Sequence, residues 1–179
     1  MKEYSNVDEL MEQAKQEDLD EACMLGELYI SGAQMPKDPD KAQKWLRLAA
    51  DRDHPRACFL LGCLFIDNEI NVEEGVGLVR KSAQLGFAPA QDKLGIMLNV
   101  GQYVRRDEDE AMKWFEAAAV QGDAKGQYNL GHALYNKSLE CENEGERFQL
   151  MSKATAWLKK AYVQGDENAE KMLSDMDAL

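Results

Sequence analysis

The 179-residue sequence contains no apolar run long enough to cross a membrane. Its longest strongly apolar stretch, Ala57 to Ile66, is far shorter than the roughly 20 residues that a membrane-spanning helix needs. The amino-terminal sequence MKEYSNVDEL is polar and acidic, and it has no apolar core of a signal peptide. We therefore expect a cytoplasmic protein that does not insert into membranes.

Basic residues are scarce relative to acidic ones. There are 21 Lys and Arg against 33 Asp and Glu, which gives a formal net charge of −12. Nucleic acids and anionic membranes are bound by clustered basic residues, so we expect neither as a partner. The acidity fits either a basic protein partner or a role in solubility alone.

The usual motifs of catalysis and metal binding are also missing. The four cysteines show no CxxC spacing, which indicates reduced packing residues: Cys23, Cys58, Cys63 and Cys141. His54 and His132 do not complete a zinc-ligand set with them. No phosphate loop, nucleophile elbow or His-Glu-x-x-His motif is found. We expect no enzyme activity, no catalytic residue, no cofactor and no metal.

What the sequence does contain is a pattern that recurs four times. A Leu-Gly pair returns every 33 to 36 residues, at Leu25-Gly26, Leu61-Gly62, Leu94-Gly95 and Leu130-Gly131. A bulky marker follows each pair, at Trp45, Leu78, Trp114 and Trp157, and alanines follow each marker. Self-similarity at this period indicates a repeat array. The apolar spacing is helical and no long segment alternates with period two, so the predicted fold class is all-α.

The glycine of each Leu-Gly pair, which we call the marker glycine, and the bulky marker each carry a structural expectation. A glycine in an exposed helix interior costs about 1 kcal/mol, so a neighbouring helix should approach closely at each marker glycine. The three tryptophans should be the largest single packing contributions, since burying one removes roughly 150–250 Å² from water. Predicted helix starts lie at Asp38, Asn71 and Asp107, and predicted stops lie at Gly32, Gly86, Gly101, Gly122 and Gly165.

The residues of these copies resemble a known family. Leu25 to Gly32 reads Leu-Gly-x-x-Tyr-x-x-Gly, and Trp45 to Ala50 reads Trp-x-x-x-Ala-Ala. This arrangement is similar to the Sel1-like repeat, a relative of the tetratricopeptide repeat, over about 19–176. The copies depart from it at Asp53, where a closing glycine is expected, and at Leu78, where a Trp is expected.

The resemblance implies a right-handed α/α solenoid of about four repeats, forming one domain over 1–179. The implied segments are an N-terminal capping helix (1–18, with its helix at about Val7 to Lys15), repeats at 19–53, 54–86, 87–122 and 123–165, and a C-terminal capping helix (166–179). The fourth copy carries an acidic insertion of about seven residues near Ser138 to Arg147, which we expect either to contact a partner or to extend the surface into solvent.

The resemblance also implies a non-enzymatic adaptor that binds a partner protein or peptide on a concave face formed by the first helix of each repeat. Positions four apart lie on one helical face, which predicts these contact residues: Glu27, Phe59, Cys63, Asp92, Ile96, Asn99, Tyr128, His132 and Tyr135. The alternative is an acidic immunity or regulatory protein that neutralises a bacterial toxin or enzyme, in which case the partner is basic.

Overall fold

A computed structural model describes residues 18–177, and within this range the chain folds into helices joined by short loops. The helices are α1 (Leu19–Ser31), α2 (Pro39–Ala50), α3 (Pro55–Asp67), α4 (Val72–Gln84), α5 (Ala88–Val100), α6 (Glu108–Val120), α7 (Ala124–Glu140), α8 (Glu144–Val163) and α9 (Glu167–Asp177). The helix predicted at Val7 to Lys15 lies outside the described residues. No strand occurs between residues 18 and 177, and no described helix is long and apolar enough to cross a membrane.

The helix starts follow from side chains that accept hydrogen bonds from free backbone N–H groups. The predicted starts Asp38, Asn71 and Asp107 each accept such a bond from the residue three positions later. His54 does the same through Nδ1, 3.1 Å from the backbone nitrogen of Ala57. Local sequence therefore determines where these helices begin.

The helix ends depend on residues with positive φ. Gly86, Gly122 and Gly165 have φ of 88°, 90° and 89°, in the left-handed region that favours glycine. Asp53 holds the equivalent place after α2 with φ of 61°. Asp53, which replaces the closing glycine of the repeat, therefore adopts the same turn conformation as the glycines. It does so at the steric cost that a Cβ carries in the left-handed region.

The described residues divide into two compact units, unit 1 up to Phe87 and unit 2 from Ala88 onward. In unit 1, α1 packs with α2 and α3 packs with α4. A Cβ added to Gly26 would lie 2.4 Å from Leu46 Cγ, and one added to Gly62 would lie 2.8 Å from the backbone oxygen of Gly75. The glycines therefore stand where the paired helices approach closely, as predicted.

Unit 2 repeats this packing. A Cβ on Gly95 would lie 2.6 Å from Phe115 Cδ1, and one on Gly131 would lie 2.7 Å from Leu158 Cγ. The facing side chains are almost fully buried, Phe115 at 3% exposure and Leu158 at 0%. A further helix, α9, packs on α8 through Ala169, which is also fully buried.

The packing role predicted for the tryptophans is wrong in detail. Trp45, Trp114 and Trp157 are only partly buried, and the residue that follows each marker is the one in the core: Leu46, Val79, Phe115 and Leu158. An indole N–H needs a hydrogen-bond partner, which keeps one edge of the ring near polar groups. Trp114 Nε1 accordingly donates to Glu110 Oε1 at 3.2 Å.

The insertion predicted in the fourth copy lengthens both helices of that pair. α7 has 17 residues and α8 has 20, against 12 or 13 in each helix of the first three pairs. Arg147 stabilises the turn between α7 and α8, because its Nε and Nη2 atoms both donate hydrogen bonds to the carbonyl oxygen of Cys141. The extra residues therefore extend helical surface rather than forming a long loop.

Candidate protein-binding site

The contact residues predicted in unit 1 lie on α1 and α3. Glu27 Oε2 forms an ion pair with Arg56 Nη2 at 2.5 Å, and this pair joins α1 to α3, the two first helices of unit 1. Phe59 is partly buried, and its ring centroid is 5.5 Å from that of Phe87. Cys63 is partly buried on the same helix as Phe59. Part of each predicted side chain is thus occupied by packing within the unit.

The contact residues predicted on α5 divide between burial and exposure. Asp92 is 5% exposed and accepts a 2.6 Å hydrogen bond from Asn129 Nδ2, which joins α5 to α7. Burial raises the pKa of the Asp92 carboxyl, although the Asn129 hydrogen bond partly opposes this. Ile96 is 38% exposed. Asp92 therefore holds neighbouring first helices together, and Ile96 offers apolar surface.

The three predicted residues on α7 come together in one groove. Tyr128, His132 and Tyr135 line a cavity of about 350 Å³ between α7 and α9. The Tyr128 and His132 rings are stacked with centroids 6.0 Å apart and an interplanar angle of 22°. Rings held in this way present rigid contact area with polar groups at their edges, which suits protein recognition.

The opposite wall of this α7–α9 groove combines polar side chains with two methionines and was not predicted. It is formed by α9 residues Asn168, Lys171, Met172, Asp175 and Met176. On the other first helices, most predicted contact residues lie three positions before or one position after the marker glycine. In α9 the marker-glycine position is Ser174, so the same rule selects Lys171 and Asp175. That signal was present in the sequence, because α9 repeats the first-helix register with Leu173 at the leucine position.

Asn99 lies in a different cavity of unit 2. This cleft of about 390 Å³ is lined by Asn99, Arg106, Asp107, Glu108, Asp109, Met112, Ala133, Asn136, Lys137 and Glu140. Its charges are partly paired, with Arg106 Nη2 2.6 Å from Glu108 Oε1 and Lys137 Nζ 3.6 Å from Asp109 Oδ1. The structure thus separates Asn99 from the α7–α9 groove.

Metal-ligand clusters and thiol reactivity are two further features of the described residues. Between residues 18 and 177, no three or more His, Cys, Asp or Glu residues are grouped so that they could hold a metal ion. Burial raises the pKa of the Cys23 thiol to about 12, and burial also raises that of Cys58. Both thiols therefore stay protonated at neutral pH and are poor nucleophiles.

Comparisons with known proteins agree with the repeat pattern. A family model for the Sel1 repeat matches residues 22–54, 88–123 and 124–166. An uncharacterised protein of Neisseria meningitidis is 42% identical over 125 residues, which cover 62% of this chain and 26% of that protein. The chain spans between 12% and 26% of the length of the curated relatives that it matches.

Solved structures with this fold extend over nearly the whole chain. A protective antigen of uropathogenic Escherichia coli with an SLR fold is 29% identical, with a TM-score of 0.82, covering 97% of this chain and 36% of the antigen. A Sel1 repeat protein of Oxalobacter formigenes is 26% identical, with a TM-score of 0.78, covering 93% of this chain and 47% of its own. The predicted fold class, an all-α solenoid of Sel1-like repeats, is confirmed. The predicted repeat boundaries stay a prediction.

Proposed function

We propose that this chain, which belongs to the Sel1 repeat family, is an adaptor that binds a partner protein or peptide through its first helices. Sel1 repeat proteins generally mediate protein–protein interactions, and their fold is typically a non-catalytic scaffold. The proposal includes the predicted contact residues on α1, α3, α5 and α7. It also includes a cytoplasmic location, which is supported by four cysteines that form no disulfide.

The observation that carries the proposal is the α7–α9 groove. Three side chains chosen from sequence spacing alone, Tyr128, His132 and Tyr135, line one cavity instead of being scattered over the surface. The aromatic wall supplies apolar area, and the facing Lys171 and Asp175 offer one charge of each sign. A peptide segment with apolar side chains and its own polar groups is the kind of ligand that such a groove accommodates.

The test is affinity capture with a groove variant and a matched surface variant. The tagged chain is incubated with lysate of its source organism beside Tyr128→Ala/His132→Ala and beside Tyr162→Ala/Val163→Ala. Tyr162 and Val163 are 47% and 82% exposed on α8 and do not line the groove. We expect one stoichiometric protein with the wild type and the α8 variant, and its loss with the groove variant. Equal recovery with all three would contradict the proposal.

The acidity favours a second candidate, an immunity or regulatory protein for a basic toxin or enzyme. The net charge is −12, and the cleft around Asn99 is lined by four acidic residues, Asp107, Glu108, Asp109 and Glu140, against two basic ones, Arg106 and Lys137. Binding to a basic partner would weaken steeply as salt screens the charges. If the captured protein is a basic enzyme that this chain inhibits, the second candidate replaces the general adaptor function. A neutral partner with salt-independent affinity removes the second candidate.

A further inference from the structure

The last helix of the described chain leaves one face of α8 uncovered. A groove of about 510 Å³ lies between α8 and α9, and we call it the end groove. It is lined by Phe148, Met151, Ser152, Thr155, Ala156, Lys159, Leu173 and Met176. Phe148 is 74% exposed, which is unusual for a Phe in a folded domain. The groove is thus mainly apolar, and Lys159 is its charged residue.

Internal repetition indicates what belongs in the end groove. Leu173 occupies the leucine position of a repeat, and its counterparts Leu25, Leu61, Leu94 and Leu130 are at most 3% exposed. Leu173 is only partly buried. Each counterpart lies on a first helix whose second helix packs over it, and within the described residues α9 has no such second helix. The end groove therefore has the shape of a site for one more second helix.

A charge in the groove defines the occupant further. Lys159 lies two residues after Trp157, as Arg47 lies two residues after Trp45. In unit 1 the Arg47 guanidinium forms an ion pair with Glu74, which is carried by the second helix α4 that follows. A helix in the end groove is therefore expected to bring an acidic side chain to Lys159.

We propose that the end groove binds residues 7–15 of a second copy of this chain. This segment, Val-Asp-Glu-Leu-Met-Glu-Gln-Ala-Lys, lies outside the described residues, and its sequence predicts a short amphipathic helix. Val7, Leu10, Met11 and Ala14 fall at helical spacing on one face, and Asp8, Glu9 and Glu12 supply acidic groups for Lys159. It thus has the apolar stripe and the charge that the groove requires.

One steric feature restricts how the segment docks. Ser174 occupies the position that the marker glycine holds in the four complete pairs. Its side chain therefore prevents the close contact that a large residue such as Leu158 makes with Gly131. The segment must present a small residue at that point, and Ala14 is the one on its apolar face. The association is head-to-tail, because the groove and the segment are different surfaces of each copy. Such contacts generate open chains unless the geometry closes them.

The test is the mass of the full chain in solution, measured by sedimentation at about 0.15 M salt. We expect the wild-type mass to rise above 20.2 kDa with concentration. Phe148→Asp removes the apolar groove contact and repels the acidic segment, and Leu10→Asp removes the apolar stripe, so each variant alone should stay at 20.2 kDa. Helical content measured by circular dichroism shows that each variant is folded.

Mixing the two variants gives the decisive result. Leu10→Asp keeps an intact end groove and Phe148→Asp keeps an intact segment, so an equal mixture should form one defined dimer that grows no further. Val163→Asp, at a site 82% exposed on α8 and outside the groove, should associate like the wild type. A wild type that stays monomeric, a mixture that stays monomeric, or loss of association in Val163→Asp would each overturn the proposal.

Discussion

The two units contain the same helix pairs but join them with different chemistry. In unit 1 the neighbouring first helices α1 and α3 are joined by the Arg56–Glu27 ion pair, whereas in unit 2 α5 and α7 are joined by the Asn129–Asp92 hydrogen bond. Both partners of the first bond are at least 40% exposed, while Asp92 is 5% exposed. One repeat fold thus accepts either a solvated charge pair or a buried polar contact at this place.

The same contrast recurs where successive second helices meet. Lys81 of α4 pairs with Asp53 at 2.5 Å and donates to the carbonyl oxygen of Ala50. Gln164, which follows α8, instead donates to the carbonyl oxygen of Gly122 at 3.0 Å and to Gln127 Oε1 at 2.8 Å. Exposed ion pairs are weak and sensitive to salt, while a buried amide left unpaired is costly. The comparison predicts different responses of the two units to substitution.

The largest expected effect tests one close helix approach in each unit. Gly62→Ala should lower the free energy of unfolding by about 3 kcal/mol, because its Cβ would meet the Gly75 backbone oxygen at 2.8 Å. Gly131→Ala should cost less, about 1–2 kcal/mol, because Leu158 Cγ, at 2.7 Å, belongs to a side chain that can shift. Urea denaturation followed by circular dichroism measures both changes.

The control for these glycines is Gly77, on α4, where an added Cβ would meet nothing within 4 Å. Gly77→Ala should raise the free energy of unfolding by up to about 1 kcal/mol through helix propensity. A loss of stability at Gly77 would show that close approach does not set the effect. Equal losses at Gly62 and Gly131 would show that it makes no difference whether the facing atom belongs to the backbone or to a side chain.

The next effect compares the amide contact with the ion pair. Gln164→Ala should lower the free energy of unfolding by about 1–2 kcal/mol, because Gln127, only 5% exposed, loses a hydrogen-bond donor. Lys81→Ala should cost under about 1 kcal/mol, because Lys81 and Asp53 are 41% and 64% exposed. Unfolding at low salt and at about 1 M NaCl separates them, since only the Lys81 effect should shrink as charges are screened. The reverse salt dependence would remove the contrast between the units.

A smaller effect concerns the turn that closes α2. In the left-handed conformation of Asp53, any residue with a Cβ pays a steric cost of roughly 1–2 kcal/mol, which Asp53→Gly removes. The same substitution also removes the exposed ion pair with Lys81. We expect a net gain of about 0.5 kcal/mol in the free energy of unfolding. Gly122→Asp, where φ is 90°, places the same strain in unit 2 and should lower stability by about 1 kcal/mol. Thermal or urea unfolding of both variants would refute this account if the two changes had the same sign.

The smallest effect is a pH dependence of the free energy of unfolding, which has opposite signs for Asp92 in unit 2 and Asp38 in unit 1. Burial raises the pKa of Asp92 above its unfolded value of about 3.9, so its contribution to stability is present below about pH 4 and is lost as pH rises through the raised pKa. The side-chain hydrogen bond from Lys41 lowers the pKa of exposed Asp38, so that contribution is present above about pH 4 and is lost as pH falls.

Asp92→Asn should therefore become more stable relative to wild type as pH rises from about 4 to 7. Asp38→Asn keeps the helix cap, and its stability relative to wild type should stay constant from about pH 7 to 4 and then improve as pH falls below about 4, where wild type loses the Asp38 contribution. Urea unfolding at several pH values measures both trends. A pH-independent difference for Asp92→Asn would mean that Asp92 does not titrate in this range.

Much of the fold could be predicted from the sequence because its signals are local and repeated. The starts at Asp38, Asn71 and Asp107 depend on a side chain reaching a backbone N–H three residues away, and the stops depend on glycines that adopt positive φ. The marker glycines predicted close helix approach because a helix interior otherwise disfavours glycine. Lengthening of α7 and α8 by the insertion follows from the same helical patterning.

The errors concern which side chain occupies each contact. Residue size suggested Trp45, Trp114 and Trp157 as the core, yet the residue after each marker is the buried one, because the angle between paired helices decides which position faces the glycine. Spacing placed Asp92 and Ile96 on one face without distinguishing their exposure. That distinction depends on Asn129, a residue 37 positions away in the chain.

The helices, their caps, the repeat period and the family could all be read from local sequence, because hydrogen bonding and apolar periodicity act within a few residues along the chain. By contrast, the groove in which Tyr128, His132 and Tyr135 face Lys171 and Asp175 depends on how α7 and α9 pack. Helix packing also leaves the end groove between α8 and α9 uncovered within residues 18–177. Both features arise where helices distant in sequence pack together, and the distances between such side chains are fixed by packing rather than by local sequence.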